Sequence, residues 1–206
     1  MGVRVKSPVN STFIHLQKTG GSSVQRWLFE HTYSYRFNKH AGFDYVDKYF
    51  DNPGVCFTVV RNPYARLVSW YHYFLQKTQA RLTAVEKGYS TVLTPKKLQN
   101  KYNVEKNQQV LEKMNVGFEQ WLLNQNKQIK VIGYQYPIAK RCNIFLKLEN
   151  IDKEFQQIQD LYNIHLPLPH VNKSQHDHYQ KYYTDETIDH VKKHYIKDLD
   201  YFGYQF

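Results

Sequence analysis

The sequence predicts one α/β domain spanning 1–206, a P-loop-like three-layer fold with a central parallel sheet flanked by helices. Three observations predict it. The apolar run Ser11-Thr12-Phe13-Ile14-His15-Leu16 leads into a glycine-rich turn and then into helical spacing. A second run, Val55-Cys56-Phe57-Thr58-Val59-Val60, ends at Arg61-Asn62-Pro63 and is again followed by helical spacing. The 206 residues suit a single domain with a sizeable core and are short for two. Strand–loop–helix, twice in succession, points to parallel strands covered on both faces.

Each element follows in order. Ser11–Leu16 reads as a short buried strand. Val24, Trp27 and Leu28 then recur at helical spacing, with Ser22 or Ser23 as the natural N-cap. Val55–Val60 is a continuous β-branched and aromatic run, as a central strand requires. Pro63 suits the first turn of a helix, and Leu67, Trp70, Tyr71 and Phe74 follow at its period. From about 76 to 115 the chain is rich in Lys, Gln and Asn and reads as a polar, partly helical insertion. Phe118, Trp121 and Leu122 predict a short helix, and the alternating Ile144, Leu146 and Leu148 predict a strand. Ile151, Phe155, Ile158 and Leu161 mark an amphipathic helix. Leu166–His170, with two prolines, is an extended linker. Thr184 caps a last helix that carries Ile188, Val191, Tyr195 and Leu199 inward and stops at Gly203.

The composition is that of a globular chain, 41% hydrophobic and 16% aromatic. Lys and Arg outnumber Asp and Glu for a net charge of +10, which draws polyanions without choosing among phosphates, nucleic acid and acidic glycans. Cys56 and Cys142 form no CxxC and no Cys/His cluster, so no metal is expected. Cys56 reads as a buried core thiol. No apolar stretch approaches the roughly 20 residues that span a bilayer, and the N-terminus lacks a signal-peptide core. The expectation is a soluble, cytoplasmic chain. A Golgi-lumenal domain separated from its anchor is the alternative.

The chemistry begins at Gln17-Lys18-Thr19-Gly20-Gly21-Ser22-Ser23. A glycine-rich turn between strand and helix cradles a phosphate-like anion, because backbone N–H groups can approach it and the helix N-terminus adds a positive field. Lys18 supplies a full charge, and Thr19, Ser22 and Ser23 supply hydroxyls. In the Walker A pattern Lys follows the second Gly, whereas Lys18 precedes both glycines. That order argues against an ordinary ATPase or kinase. At the second strand end, Arg61 presents a planar fork suited to phosphate, and Ser69 lies on the helix that follows. Arg66, three residues before Ser69, is either a ligand contact or part of a structural ion pair.

Phe13–Ser23 resembles the 5′-phosphosulfate-binding loop of sulfotransferases related to the heparan and dermatan sulfate 2-O-sulfotransferases. Their loop begins Pro-Lys-Thr-Gly-Gly-Thr-Ser; here Gln17 replaces the Pro and Ser22 the Thr. Val59–Tyr71 resembles that family's 3′-phosphate segment, Arg-Asp/Asn-Pro-x-x-Arg-x-x-Ser-x-Tyr. Leu146–Asn150 is similar to its late strand, and Leu168–Ser174, Tyr182–Thr184 and Asp198–Tyr204 to its C-terminal signature. The likeness thus covers nearly the whole chain apart from the polar insertion.

The resemblance implies a sulfuryl donor, 3′-phosphoadenosine-5′-phosphosulfate (PAPS), with adenosine 3′,5′-bisphosphate (PAP) as product. It implies that Lys18 meets the 5′-phosphate and the bridging oxygen. Thr19, Gly20, Gly21, Ser22 and Ser23 form the cradle, and Arg61 and Ser69 hold the 3′-phosphate. Lys173 and Ser174 either close over the nucleotide or belong to a structural loop. Among ten histidines, His40 in Asn38-Lys39-His40-Ala41-Gly42 matches the His-Ala segment that carries the candidate base. His170 is second choice, and His15 reads as a strand histidine. The implied acceptor is a hydroxyl on an acidic or neutral saccharide, with no nucleic acid partner; the 76–115 insertion is the candidate for its selection. The alternatives are a P-loop-type nucleotide kinase and a non-catalytic polyanion-binding protein.

Overall fold

The computed structural model of the protein describes residues 2–37, 42–87, 103–124, 132–171 and 176–206. Its centre is a five-stranded sheet in the order β3-β1-β2-β4-β5, with β1 Val3–Ser7, β2 Ser11–Ile14, β3 Tyr33–Arg36, β4 Val55–Val60 and β5 Ile144–Lys147. The pairs β2·β4 and β4·β5 are parallel, as the two strand–loop–helix units require. The other two pairs, β1·β2 and β1·β3, are antiparallel, so the sheet is mixed and not wholly parallel. The extra edge arises from β1, a short strand of alternating apolar and basic residues. Val3 and Val5 are fully buried on its inner face. Arg4 on the other face is also buried, because its guanidinium donates to the carbonyls of Ser11, Asn52 and Pro53.

Side chains alternate across the sheet. Phe13, Phe57, Val59 and Leu146 face one layer, where they meet Val24, Trp27 and Leu28 of α1 (Gly21–His31). Ile14 and Cys56 face the other, against Phe43 and Val46 of α2 (Phe43–Tyr49). Helices therefore cover both faces, giving three layers. Trp27 is fully buried, and its indole N–H donates to the Leu166 carbonyl at 2.9 Å, which pins the extended linker to α1.

The helix α3 (Pro63–Glu86) starts as expected, with Pro63 in its first turn and Asn62 as cap accepting from Tyr64 N. It then continues well into the stretch read as an insertion, so the polar segment starts in mid-helix. The reason is α4 (Val104–Met114), which packs along α3 and gives Thr78 and Asn107 a buried, polar contact zone. Residues 88–102 lie outside the described residues.

The chain continues through α5 (Phe118–Leu123) and α6 (Tyr136–Ala139) to β5. After β5 the predicted amphipathic helix is two short ones, α7 (Ile151–Glu154) and α8 (Gln156–Tyr162). The final helix α9 (Asp185–Phe202) is capped by Thr184 and ends at Gly203 in the left-handed region, as read from the sequence; Thr184 and Thr187 form a reciprocal capping box. Val191, Tyr195 and Leu199 of α9 pack with Tyr64, Val68 and Tyr71 of α3 in a second core. No described helix is long and apolar enough to cross a membrane.

Candidate active site

The two glycine-and-arginine loops come together because β2 and β4 are parallel neighbours, which puts their C-terminal ends side by side. The first loop leaves β2 and starts α1. Lys18 has φ +63° and Gly20 φ +78°, both left-handed, so the chain turns sharply around the lysine. A Cβ on Gly20 would lie 2.5 Å from Leu148 Cδ1, and one on Gly21 would lie 2.2 Å from His15 Cδ2. Gly20 is favoured by its left-handed backbone, and Gly21 by the His15 ring packed beneath it.

The N-cap of α1 is Gly20, not Ser22 or Ser23, and no side chain caps the helix. Thr19 is fully buried and donates to the Leu16 carbonyl, closing the loop on itself. The Ser23 hydroxyl accepts from Val171 N at 3.1 Å, tying α1 to the end of the linker. Ser22 stands half-exposed beside a groove of about 460 Å³ that runs along α1 past Gln25, Arg26 and Phe29 to Arg36 and Val171. Neither α1 nor α3 carries an acid in its first turn, but the Glu149 carboxylate sits on the cap N–H of α3, so it is α1 whose N-terminus keeps its positive field.

The second loop is held rigidly. Arg61 N donates to Gln135 Oε1 at 2.9 Å, and Gln135 Nε2 donates to Arg61 O at 2.8 Å. Asn62 N donates to Glu149 Oε1, and Asn62 Nδ2 to the Gln205 carbonyl. The Arg61 guanidinium turns back to the first loop, with Nη1 3.4 Å from the Lys18 carbonyl.

Lys18 and Arg61 therefore share one site, and burial explains their titration. Desolvation, together with the nearby Arg61 and Lys77 charges, lowers the Lys18 ammonium to about 8. Burial also pulls the Arg61 pKa down, opposed by the charge of Glu149.

Arg66 is placed differently from either expectation. It is 1% exposed, and its guanidinium donates to the carbonyls of Gln17, Gly133 and Ile132 at 2.8, 2.9 and 3.1 Å. It braces the cradle through Gln17 and presents no free fork to a ligand; no carboxylate pairs with it at salt-bridge distance among the described residues. Ser69 is 2% exposed on the same helix.

His15 lies under Gly21, stacked on Phe13, and burial lowers its pKa to about 4, so it is neutral near pH 7. His170 is exposed, 3.9 Å from Asp152. His40, Lys173 and Ser174 lie outside the described residues.

Two neighbours of the cradle had no motif to announce them. Tyr73 and Lys77 on α3 reach Lys18, whose Nζ sits 4.1 Å from the Tyr73 ring centroid. Their only sequence signal is spacing, since 66, 69, 73 and 77 fall on one face of a helix. Among the described residues no cluster of three or more His, Cys, Asp or Glu side chains could hold a metal.

The arrangement can grip an anion at each of two adjacent strand ends. Against known families, the model described as the sulfotransferase family matches residues 12–205. No curated protein matches the chain.

Proposed function

The chain belongs to the sulfotransferase family, and from that premise we propose that it moves a sulfuryl group from PAPS to an acceptor hydroxyl, on a saccharide. One observation carries the choice of donor. Two cationic loops sit at neighbouring strand ends and touch through Arg61 Nη1 and the Lys18 carbonyl, 3.4 Å apart. A donor whose anionic groups are concentrated in one polyphosphate chain needs one such loop. PAPS has anions at both its 5′ and 3′ positions and uses two.

In this reading Lys18 and the amides at the start of α1 hold the 5′-phosphosulfate. Arg61 holds the 3′-phosphate, with Ser69 and Arg66 behind it. The groove beside Ser22 takes the nucleoside, and Lys173 and Ser174 are kept as candidate nucleotide contacts. The relationship to heparan and dermatan sulfate 2-O-sulfotransferases is part of the same proposal, as is a carbohydrate acceptor.

His40 accepts the acceptor's proton while the acceptor oxygen attacks sulfur in line. The bond from sulfur to the bridging oxygen breaks, and its electron pair leaves with PAP. Lys18 stabilises the charge that builds on that oxygen. Positioning and electrostatics suffice for such a transfer, as in phosphoryl chemistry.

Calorimetry with PAP tests the donor. The expected result is binding that weakens at least tenfold in Arg61→Ala. Unchanged affinity in that variant, or stabilisation by ATP–Mg²⁺ and not by PAP, overturns the reading. Labelled PAPS with a panel of saccharides tests the acceptor, and His40→Ala with near wild-type turnover would remove His40 as the base.

A further inference from the structure

Tyr73 holds two ammonium groups at once. Lys18 Nζ lies 4.1 Å from its ring centroid, and Lys77 Nζ lies 4.7 Å from the same centroid and 2.6 Å from Tyr73 Oη. Tyr73 is 37% exposed and Lys77 half-buried, at the mouth of the cradle. No carboxylate lies within salt-bridge distance of Lys18, Lys77 or Arg61 among the described residues. Lys18 and Lys77 thus stand together on one ring with no paired carboxylate, while the Glu149 charge favours the Arg61 guanidinium; two ammonium groups this close are costly unless an anion joins them.

The geometry points to a role for Lys77 that the family motifs do not include. We propose that Lys77, anchored by the Tyr73 hydroxyl, is the cation that binds the transferring sulfonate of the donor. The proposal rests on the donor reading above.

The phosphate end of the donor has the α1 amides and Lys18. Lys77 is the cation next to Lys18 on the Tyr73 ring, and we assign it to the sulfonate end. The aromatic face lets two like charges stand near one another, because each ammonium is drawn to the ring quadrupole. The two lysines then divide the labour. The charge that grows during transfer lies on the bridging oxygen, beside Lys18. The sulfonate oxygens are charged before transfer begins, so a cation on them contributes mainly to ground-state binding. Lys77 should therefore govern KM for the donor and Lys18 should govern kcat.

PAPS and PAP differ by the sulfonate, so their comparison isolates the contact. In calorimetry, Lys77→Met should weaken PAPS about tenfold, the loss typical of one charge-assisted hydrogen bond, and change PAP less than twofold. Tyr73→Phe keeps the ring for Lys18 and loses the anchor for Lys77; it should weaken PAPS alone, by a smaller factor. Far-ultraviolet dichroism should show both variants folded, since neither side chain is in the core. Equal losses for PAPS and PAP, or no loss for PAPS, overturn the role of Lys77 while leaving the donor intact. A wild-type chain that binds neither nucleotide overturns the donor reading and this one together.

Discussion

Lys18 is the residue on which the reading turns, and its environment makes a testable demand on pH. Burial and the Arg61 and Lys77 charges bring its ammonium down from 10.5 to about 8. Only the protonated form can stabilise a departing oxygen. In the free enzyme that form is lost as pH rises through about 8, so kcat/KM for PAPS should fall on the alkaline side with an apparent pKa near 8. The bound donor is a polyanion and favours the ammonium, so the alkaline limb of kcat should lie at higher pH. Stability has the opposite slope. The folded pKa is below the unfolded one, so between about 8 and 10.5 the unfolded chain holds more protons and folding becomes more favourable as pH rises. A pH–rate profile whose kcat and kcat/KM limbs coincide near 10.5 would contradict this account of Lys18. Arg66 shows the reverse arrangement. Burial lowers its pKa to about 10, yet three carbonyls receive its donors and it stays charged at neutral pH.

At the scale of elements, the strand–glycine–helix unit works because His15 and Gly21 fit together. Gly21 is inside α1, where Ala has the better propensity by up to ~1 kcal/mol. Against this, an added Cβ would lie 2.2 Å from His15 Cδ2. Overpacking of that severity costs about 1–3 kcal/mol, so the clash wins. Gly21→Ala should destabilise the protein and weaken PAP at least tenfold by lifting the helix start. His15→Ala with Gly21→Ala should recover stability in a double-mutant cycle, and additive losses would disprove the contact. The unit itself was legible because local chemistry dictates it: apolar run, glycines, helical period. Pro63, Thr184 and Gly203 were legible for the same reason. The cap of α1 was not, because two serines stand at good cap positions while the chain turns on the left-handed Gly20 instead. Nor was the antiparallel edge, because Val3-Arg4-Val5 is too short to declare a strand and its pairing is settled by distant carbonyls at 52 and 53. Tyr73 and Lys77 were hidden similarly, since no motif marks a residue whose only role is to face a loop fifty or more positions away.

Over the whole molecule, the site is assembled by a buried chain of hydrogen bonds reaching from α9 to β4. Asp198 and Gln135 are both fully buried. The Asp198 carboxylate accepts from Gln135 N and Tyr136 N at 2.9–3.1 Å, and its charge also favours the Arg66 guanidinium. Gln135 in turn clamps both backbone groups of Arg61. The fold thus links the C-terminal helix to both cationic loops: to Arg61 through Gln135, and to the cradle through Arg66 and Gln17. Asp198→Asn preserves volume and polarity, but its amide nitrogen cannot accept a backbone N–H, and Arg66 loses its nearby negative charge. Breaking a buried charge network in this way costs about 3 kcal/mol, roughly 6–12 °C in Tm for a chain of this size. Below its melting temperature the variant should also bind PAP more weakly, although Asp198 touches no part of either loop, because Arg61 is no longer held at the strand end. Thermal melts paired with PAP calorimetry read both effects. A variant that loses stability but keeps full PAP affinity would show that Asp198 supports the fold alone and that Arg61 is positioned by β4 without help from α9.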